Sequence, residues 1–113
     1  MEGDKSIKVV DAVSMAATIN STGVDLQGRS SYSFHAVYSG SPNGTLKIQI
    51  SNDMVSDAGS VTTWTDYTGS STAISAAGDT MFKIDRGGER WARHVFTFSS
   101  GTGSLTVIAG LQE

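Results

Sequence analysis

The sequence lacks several residue patterns that would point to particular classes of protein. It contains no cysteine, so disulfide bonds do not hold the fold and no thiolate can bind a metal. Pro42 is the only proline, which excludes a proline-rich linker. Residues 1–5 lack the basic and then apolar pattern of a secretory signal, so we expect none.

Strong charge and long apolar runs are also missing. The net charge is −3, which argues against a dedicated nucleic-acid-binding protein. No apolar run approaches the roughly 18 residues that a membrane-spanning helix needs, so we expect no membrane partner. Stretches of helical periodicity are short as well, which leaves an all-β protein as the expected class.

Glycine, serine and threonine make up over a third of the 113 residues, and they separate short segments of alternating apolar and polar residues. This pattern predicts an antiparallel β-sandwich of about eight strands in a single domain, residues 7–113, after a flexible arm, residues 1–6. The predicted strands are residues 7–10, 12–19, 24–26, 32–39, 46–51, 61–67, 80–85, 91–99 and 104–109.

Residues 31–53 carry the clearest pattern and predict a β-hairpin. Two alternating segments flank Gly40-Ser41-Pro42-Asn43-Gly44, whose proline and Asn-Gly pair are typical of a tight turn. A similar segment, Ser100-Gly101-Thr102-Gly103, predicts another turn before the last strand. A third turn is expected at residues 86–89, where paired glycines accept the geometry of a two-residue hairpin loop.

Candidate catalytic and metal-binding residues are few. His35 and His94 are the only histidines, and no serine lies in a Gly-x-Ser-x-Gly motif, so we expect no enzyme activity and no catalytic residue. The oxygen-bearing residues Asn52, Asp53, Asp57 and Asp66 match no calcium-loop spacing, and capping of turns explains them better. The sequence therefore predicts no metal and no cofactor.

Basic and aromatic residues suggest two further kinds of site. Lys83, Arg86, Arg90, Arg93 and His94 surround Trp91, but the acidic residues between them favour a solvated hairpin with ion pairs over nucleic-acid binding. Trp64, Tyr67, Trp91 and Tyr38 could stack on sugar rings, so a glycan remains an open alternative; in a domain this small, tryptophans more often lie in the core or in an interface.

Two stretches resemble a known group of proteins. Residues 38–53 contain Gly40-Ser41-Pro42-Asn43-Gly44-Thr45-Leu46 followed by Ser51-Asn52-Asp53, and residues 90–107 contain Trp91-Ala92-Arg93 followed by Ser100-Gly101-Thr102-Gly103. Together with Trp64 before Gly69-Ser70, they resemble small β-sandwich virion proteins of tailed bacteriophages. The Trp-x-Arg strand is also similar to galactose-binding-like jelly rolls, in which the arginine lies buried against the sheet.

The resemblance implies a jelly-roll-like sandwich with an architectural role. It implies a virion protein, made in the host cytoplasm, that binds a major capsid or tail protein and forms homo-oligomers. A capsid decoration or cement subunit is the first hypothesis, and a tail-associated protein or a carbohydrate-binding module is the alternative. The expected interface or core anchors are Trp64, Trp91, Tyr38 and Arg93.

Overall fold

The computed structural model describes residues 5–26, 29, 31–85 and 89–112. The described chain forms eight antiparallel strands and one short 3-10 helix, Ala58–Ser60, which confirms the predicted all-β class. The strands are β1 Lys5–Ser14, β2 Ile19–Asn20, β3 Val24–Asp25, β4 Ser31–Ser51, β5 Thr65–Asp66, β6 Thr72–Ile74, β7 Gly78–Ile84 and β8 Trp91–Gln112. No helix in these residues is long and apolar enough to cross a membrane.

Two long strands, β4 and β8, organise the fold. They pair antiparallel along their full lengths, from Ser31 opposite Gln112 to Ser51 opposite Trp91. The predicted hairpin turn at residues 40–44 is therefore wrong, and so is the predicted turn at residues 100–103. Both segments lie in the middle of a continuous strand and face each other across the pair.

The two glycine-rich segments bend the strands instead of reversing them. We call residues 40–44 of β4 and 99–103 of β8 the crease. Gly40 lies opposite Gly103, and Pro42 lies opposite Gly101. Gly40 and Gly101 have φ values of +82° and +88°, which only glycine adopts easily, so the turn chemistry produces a bend shared by both strands.

The crease folds one continuous sheet into two layers. The first layer contains β1, the carboxyl-terminal half of β8, the amino-terminal half of β4, and β7. The second layer contains β2 and β3, the amino-terminal half of β8, the carboxyl-terminal half of β4, and β5 with β6. Strands that pass from one layer to the other at a bend or bulge are a known way to build a sandwich.

A β-bulge in the crease determines which residues of β8 face inward. Asn43 pairs with Ser100 while Gly44 pairs with Phe98, so Ser99 is an extra residue on β8. An extra residue shifts the alternation by one position. Even-numbered residues such as Phe96 therefore face the core before the bulge, and odd-numbered residues such as Leu105 face it after the bulge.

The core lies between the two layers. One cluster of buried apolar side chains includes Phe34, Leu105 and Val107 from the first layer and Leu46 and Phe96 from the second. Both layers thus have one apolar face turned inward, which is how a sandwich removes apolar surface from water.

Several predicted boundaries differ from the structure. The predicted strand 12–19 ends at Ser14, because the chain bends after it and carries Met15 into the core. The predicted strand 61–67 forms a ladder only at β5, whose residues are exposed. Lys5 and Ser6 of the predicted arm pair with Leu111 and Gly110. Residues 1–4 of that arm and 86–88 of the third predicted turn lie outside the described residues.

Candidate functional site

Trp64 and Arg93 lie together on the outer face of the second layer. The Arg93 Cζ atom is 4.5 Å from the centre of the Trp64 ring, within range of a cation–π interaction. The Arg93 Nε and Nη2 atoms donate to Gln49 Oε1 at 2.9 and 2.6 Å, and Gln49 lies opposite Arg93 on β4. Arg93 therefore packs between the indole ring and the sheet, and this partial burial lowers its pKa from the ordinary value.

The same network continues to the edge of the second layer. Gln49 Nε2 donates to Asp66 Oδ1 at 2.9 Å, and Lys47 Nζ donates to Asp66 Oδ2 at 3.2 Å. These hydrogen bonds, and that from Gln49 most of all, lower the pKa of the exposed Asp66 carboxyl group. Charged and amide groups thus hold β5 and the Trp64 segment against the sheet.

Trp91 lies on the same outer face as Arg93, but its ring is buried beneath other residues. Its side chain is only 2% exposed, and its Nε1 donates to the Asp53 carbonyl oxygen at 3.2 Å. Arg90 covers the ring, with Cζ 4.8 Å from the ring centre. Arg90 is held by a bidentate contact with Asp25 at 2.8 and 3.1 Å, and this hydrogen bonding raises the pKa of Arg90.

Tyr38 is separated from the other three predicted anchors. It faces inward from the first layer and is buried, and its hydroxyl group lies 2.9 Å from Thr80 Oγ1 on β7. The structure therefore brings Trp64, Trp91 and Arg93 to one outer face and places Tyr38 in the core.

The different burial of the two tryptophans predicts different responses to a soluble quencher. In Trp64→Phe, the remaining emission comes from Trp91 and should be blue-shifted and resistant to acrylamide. The native protein should show an additional component that acrylamide quenches several-fold more readily, because Trp64 is only partly buried. Acrylamide titration of both proteins gives the comparison, and equal quenching of the two would contradict the burial of Trp91 beneath Arg90.

Three of the four oxygen-bearing residues form hydrogen bonds in or beside the loop that covers Trp91, whereas Asp66 binds Lys47 and Gln49 on the sheet. Asp53 Oδ2 accepts hydrogen bonds from the backbone N–H groups of Thr62 and Thr63 at 2.8 and 3.0 Å, which lower the pKa of Asp53. Asn52 Oδ1 accepts from the Arg90 N–H at 2.9 Å, and Asp57 accepts from the Ser60 hydroxyl at 3.2 Å. Within the described ranges, no three histidine, aspartate or glutamate side chains converge as a metal site would require.

The two histidines lie on opposite sides of the sheet. His35 faces outward from the first layer, and its Nε2 lies 2.9 Å from Asp79 Oδ2. His94 faces inward, with its ring centre 6.2 Å from that of Phe34, and burial lowers its pKa to about 4. The two rings therefore do not form a common site.

The basic residues expected around Trp91 are also dispersed. Arg90 and Arg93 lie on the second layer, Lys83 lies on β7 of the first layer, and His94 lies in the core. Arg86 lies outside the described residues. The described members of the group thus form no single positive surface.

The outer face of the first layer carries exposed apolar side chains that sequence reasoning missed. Met81 and Ile108 both lie opposite His35, on β7 and β8, and Val37 is the next outward residue on β4. Val37, Met81 and Ile108 are 47%, 51% and 39% exposed. We call these three residues the apolar patch. The pairing of β4 with β7 and β8 brings the three side chains near one another, so the patch depends on a feature that alternation alone does not reveal.

A shallow groove lies beside β5 on the second layer. It has a volume of about 390 Å³, and its lining includes Thr45, Lys47, Asp66, Tyr67 and Thr97. Hydroxyl groups with one aromatic ring could contact a sugar. Of the four aromatic residues considered for sugar stacking, only Tyr67 is among the residues that line this groove.

The fold and these surfaces define an antiparallel, jelly-roll-like β-sandwich with one polar and one partly apolar outer face. No protein-family model and no curated protein sequence matches the chain. Among solved structures, it is similar to the SPBc2 prophage-derived protein YomS, with a TM-score of 0.56 and 12% identity over 95% of this chain and 92% of that chain.

Two further structures share the fold. The PBSX exported protein XepA has a TM-score of 0.63 and 14% identity, and the match covers 95% of this chain and 36% of XepA. Chitosan-binding module 1 of a chitosanase/glucanase from Paenibacillus sp. IK-5 has a TM-score of 0.52 and 14% identity over 96% of this chain and 76% of the module. At such low identity these similarities establish the β-sandwich fold alone.

Proposed function

We propose that this protein is a non-enzymatic structural subunit of a phage particle that binds other virion proteins. The apolar patch is the observation that carries the proposal. An antiparallel sheet facing water normally alternates apolar-in and polar-out, whereas Val37, Met81 and Ile108 all lie exposed around His35 on the outer face. Adjoining exposed apolar side chains are typical of surfaces that bind another protein.

The similarity in fold supports the assignment of this protein to a phage particle. YomS is described as a prophage-derived protein, and both YomS and the PBSX exported protein XepA have this β-sandwich. The sequence segments that resemble phage virion proteins, residues 38–53 and 90–107, pair with each other and form the crease. They therefore specify the shape of the sandwich, and the patch supplies the contact. A decoration or cement subunit on the capsid is the first role, and a tail-associated subunit is the second.

A small contact of this kind would act through repetition. A patch of three side chains gives weak binding on its own, since specific interfaces usually bury about 1,600 Å². On a repeating capsid or tail lattice, many such contacts act together when subunits are linked, and the combined affinity rises without new chemistry. The proposed role requires no cofactor and no catalytic residue.

Val37→Lys should weaken binding to the particle by about tenfold or more, because it places a charge in the centre of an apolar contact. Binding is measured by co-sedimentation with capsids, and separately with tails, that have been prepared without this protein. Thr97→Lys is the matched control, since Thr97 is exposed on the outer face of the second layer. The proposal is contradicted if the native protein binds neither capsids nor tails, or if Val37→Lys binds them as well as Thr97→Lys does.

Carbohydrate binding is the second candidate, and the groove beside β5 favours it. The groove presents hydroxyl groups, Lys47, Asp66 and the Tyr67 ring, and the chitosan-binding module has the same fold. A calorimetric titration with chitosan oligomers and with neutral oligosaccharides tests it directly. Absence of saturable heat with every sugar would remove this candidate and leave the protein-binding role unaffected.

A further inference from the structure

The β7 strand leaves one edge of the first layer open. It pairs with β4 along its whole length, from Gly78 opposite Tyr38 to Ile84 opposite Tyr32. In the described part of the chain, no other strand pairs with β7. An open strand edge presents backbone N–H and C=O groups that can pair with another chain.

The two edges of the first layer differ in regularity. The pairing of β1 with β8 is interrupted between Lys8 and Val10 and again between Val10 and Val13, and Ala12 has a φ of +50°. Bulges of this kind hinder the addition of another strand. The register of β7 with β4 shows no interruption over seven residues, so β7 presents an edge without bulges.

The outward side chains of β7 form a self-complementary pattern. Asp79, Met81 and Lys83 alternate along one face, and they present a negative, an apolar and a positive group in that order. When two copies of β7 pair antiparallel about a two-fold axis at Met81, Asp79 of each copy lies opposite Lys83 of the other. Opposite charges on directly facing residues stabilise a strand pair, and a two-fold interface repeats the contact.

We propose that two copies of this protein associate edge to edge through β7, antiparallel and with Met81 on the two-fold axis. The first layers of both copies then form one continuous sheet, and their apolar patches adjoin because Met81 belongs to each. Asp79, which contacts His35 at 2.9 Å within one copy, gains a cationic neighbour from the other. Lys83 forms no salt bridge with the described residues of its own chain, so it is available for this contact.

The size of the edge sets the expected strength of the dimer. Seven residues on each copy provide less contact than an interface of standard size, about 1,600 Å². We therefore expect a dimer that forms at micromolar or higher concentrations and dissociates on dilution. This inference goes beyond the proposed function, because the dimer forms in the absence of any phage partner.

Disulfide trapping tests the position of the axis. The chain has no cysteine, so Met81→Cys introduces the only thiol, and two facing residues about 4.5–5.5 Å apart can form a disulfide bond. Val37→Cys is the control, because Val37 is similarly exposed on the same face but lies one strand away from the edge. Under mild oxidation, Met81→Cys should form the covalent dimer about tenfold faster or more. Equal rates for the two variants would contradict the proposed pairing.

Charge reversal tests the register independently. Lys83→Asp places acidic groups opposite each other at both ends of the contact, and Asp79→Lys places basic groups there. Each single variant should weaken dimerisation by about tenfold, and the double variant Asp79→Lys/Lys83→Asp should recover nearly native affinity. Sedimentation velocity of the purified proteins alone gives the affinities, so the outcome does not depend on phage binding. A double variant no better than either single variant would overturn the inference.

Discussion

Gly101→Ala should destabilise the protein by about 3 kcal/mol or more, a large part of the total stability of a small domain. Gly101 has a φ of +88°, where an alanine is strained by about 1–2 kcal/mol. A Cβ atom there would also lie only 2.1 Å from the Ser41 carbonyl oxygen on the facing strand. Because that oxygen belongs to the backbone of β4, it cannot move without opening the crease.

Gly69→Ala is a matched control for this substitution. Gly69 has nearly the same φ, +86°, but no atom lies within 4 Å of the position of an added Cβ. The free energy of unfolding of Gly69→Ala should therefore fall only by the backbone strain of about 1–2 kcal/mol. Urea unfolding of the native protein and both variants measures the difference. Equal losses at the two positions would show that the facing strands are not in close contact at Gly101.

The crease also shows where sequence reasoning succeeds and where it stops. Glycine, proline and asparagine at residues 40–44 predicted a reversal of the chain, and the structure has a bend in a continuous strand there instead. The same residues are compatible with a reversal or with a bend in a continuous strand, because local φ values do not specify which distant segment will pair. The pairing of Pro42 with Gly101 makes the segment a bend in a continuous strand, and these two residues lie far apart in the sequence.

Alternation predicted the inward faces of individual strands well. Tyr32, Phe34, Ala36 and Tyr38 occupy alternate positions in the segment that predicted a strand at residues 32–39, and all four are buried. Alternation is local, however, and it is reset by the extra residue Ser99. The alternation of Leu105, Val107 and Ala109 already turns Ile108 outward, but its position near Val37 and Met81 follows from the pairing of β4 with β7 and β8, which period-two patterns do not show.

Residue type was a weak guide to the location of the aromatic anchors. Trp64 and Trp91 were treated alike in the sequence, yet only Trp64 retains appreciable exposure. Trp91 points to the outer face of the second layer and would be exposed if no loop covered that part of the sheet. The loop capped by Asp53 folds over it, and the bidentate pair of Arg90 with Asp25 completes the cover. Such burial by an irregular loop has no periodic signal in the sequence.

Acidification should destabilise the protein through His94. Burial among apolar side chains disfavours the charged ring and lowers the pKa of His94 from 6.5 to about 4. Above pH 6.5, the ring is neutral in both the folded and the unfolded chain, and it makes no pH-dependent contribution. Between pH 6.5 and pH 4, only the unfolded chain takes up the proton. Stability therefore falls over this range, by about 3 kcal/mol at its lower end.

Replacing the ring by an apolar side chain isolates this contribution from the carboxylates that titrate in the same range. His94→Leu keeps an apolar contact opposite Ile48 and removes the titrating group. The stability of the native protein relative to His94→Leu should fall by about 3 kcal/mol between pH 7.5 and pH 4. His35→Gln is the control, since it removes a partly exposed ring on the other side of the sheet and leaves His94 in place, so it should keep the fall in stability that His94 causes. Urea unfolding at several pH values makes the comparison. If the stabilities of the native protein and His94→Leu changed in parallel with pH, protonation of His94 would carry no cost. The ring would then not be enclosed between the two layers.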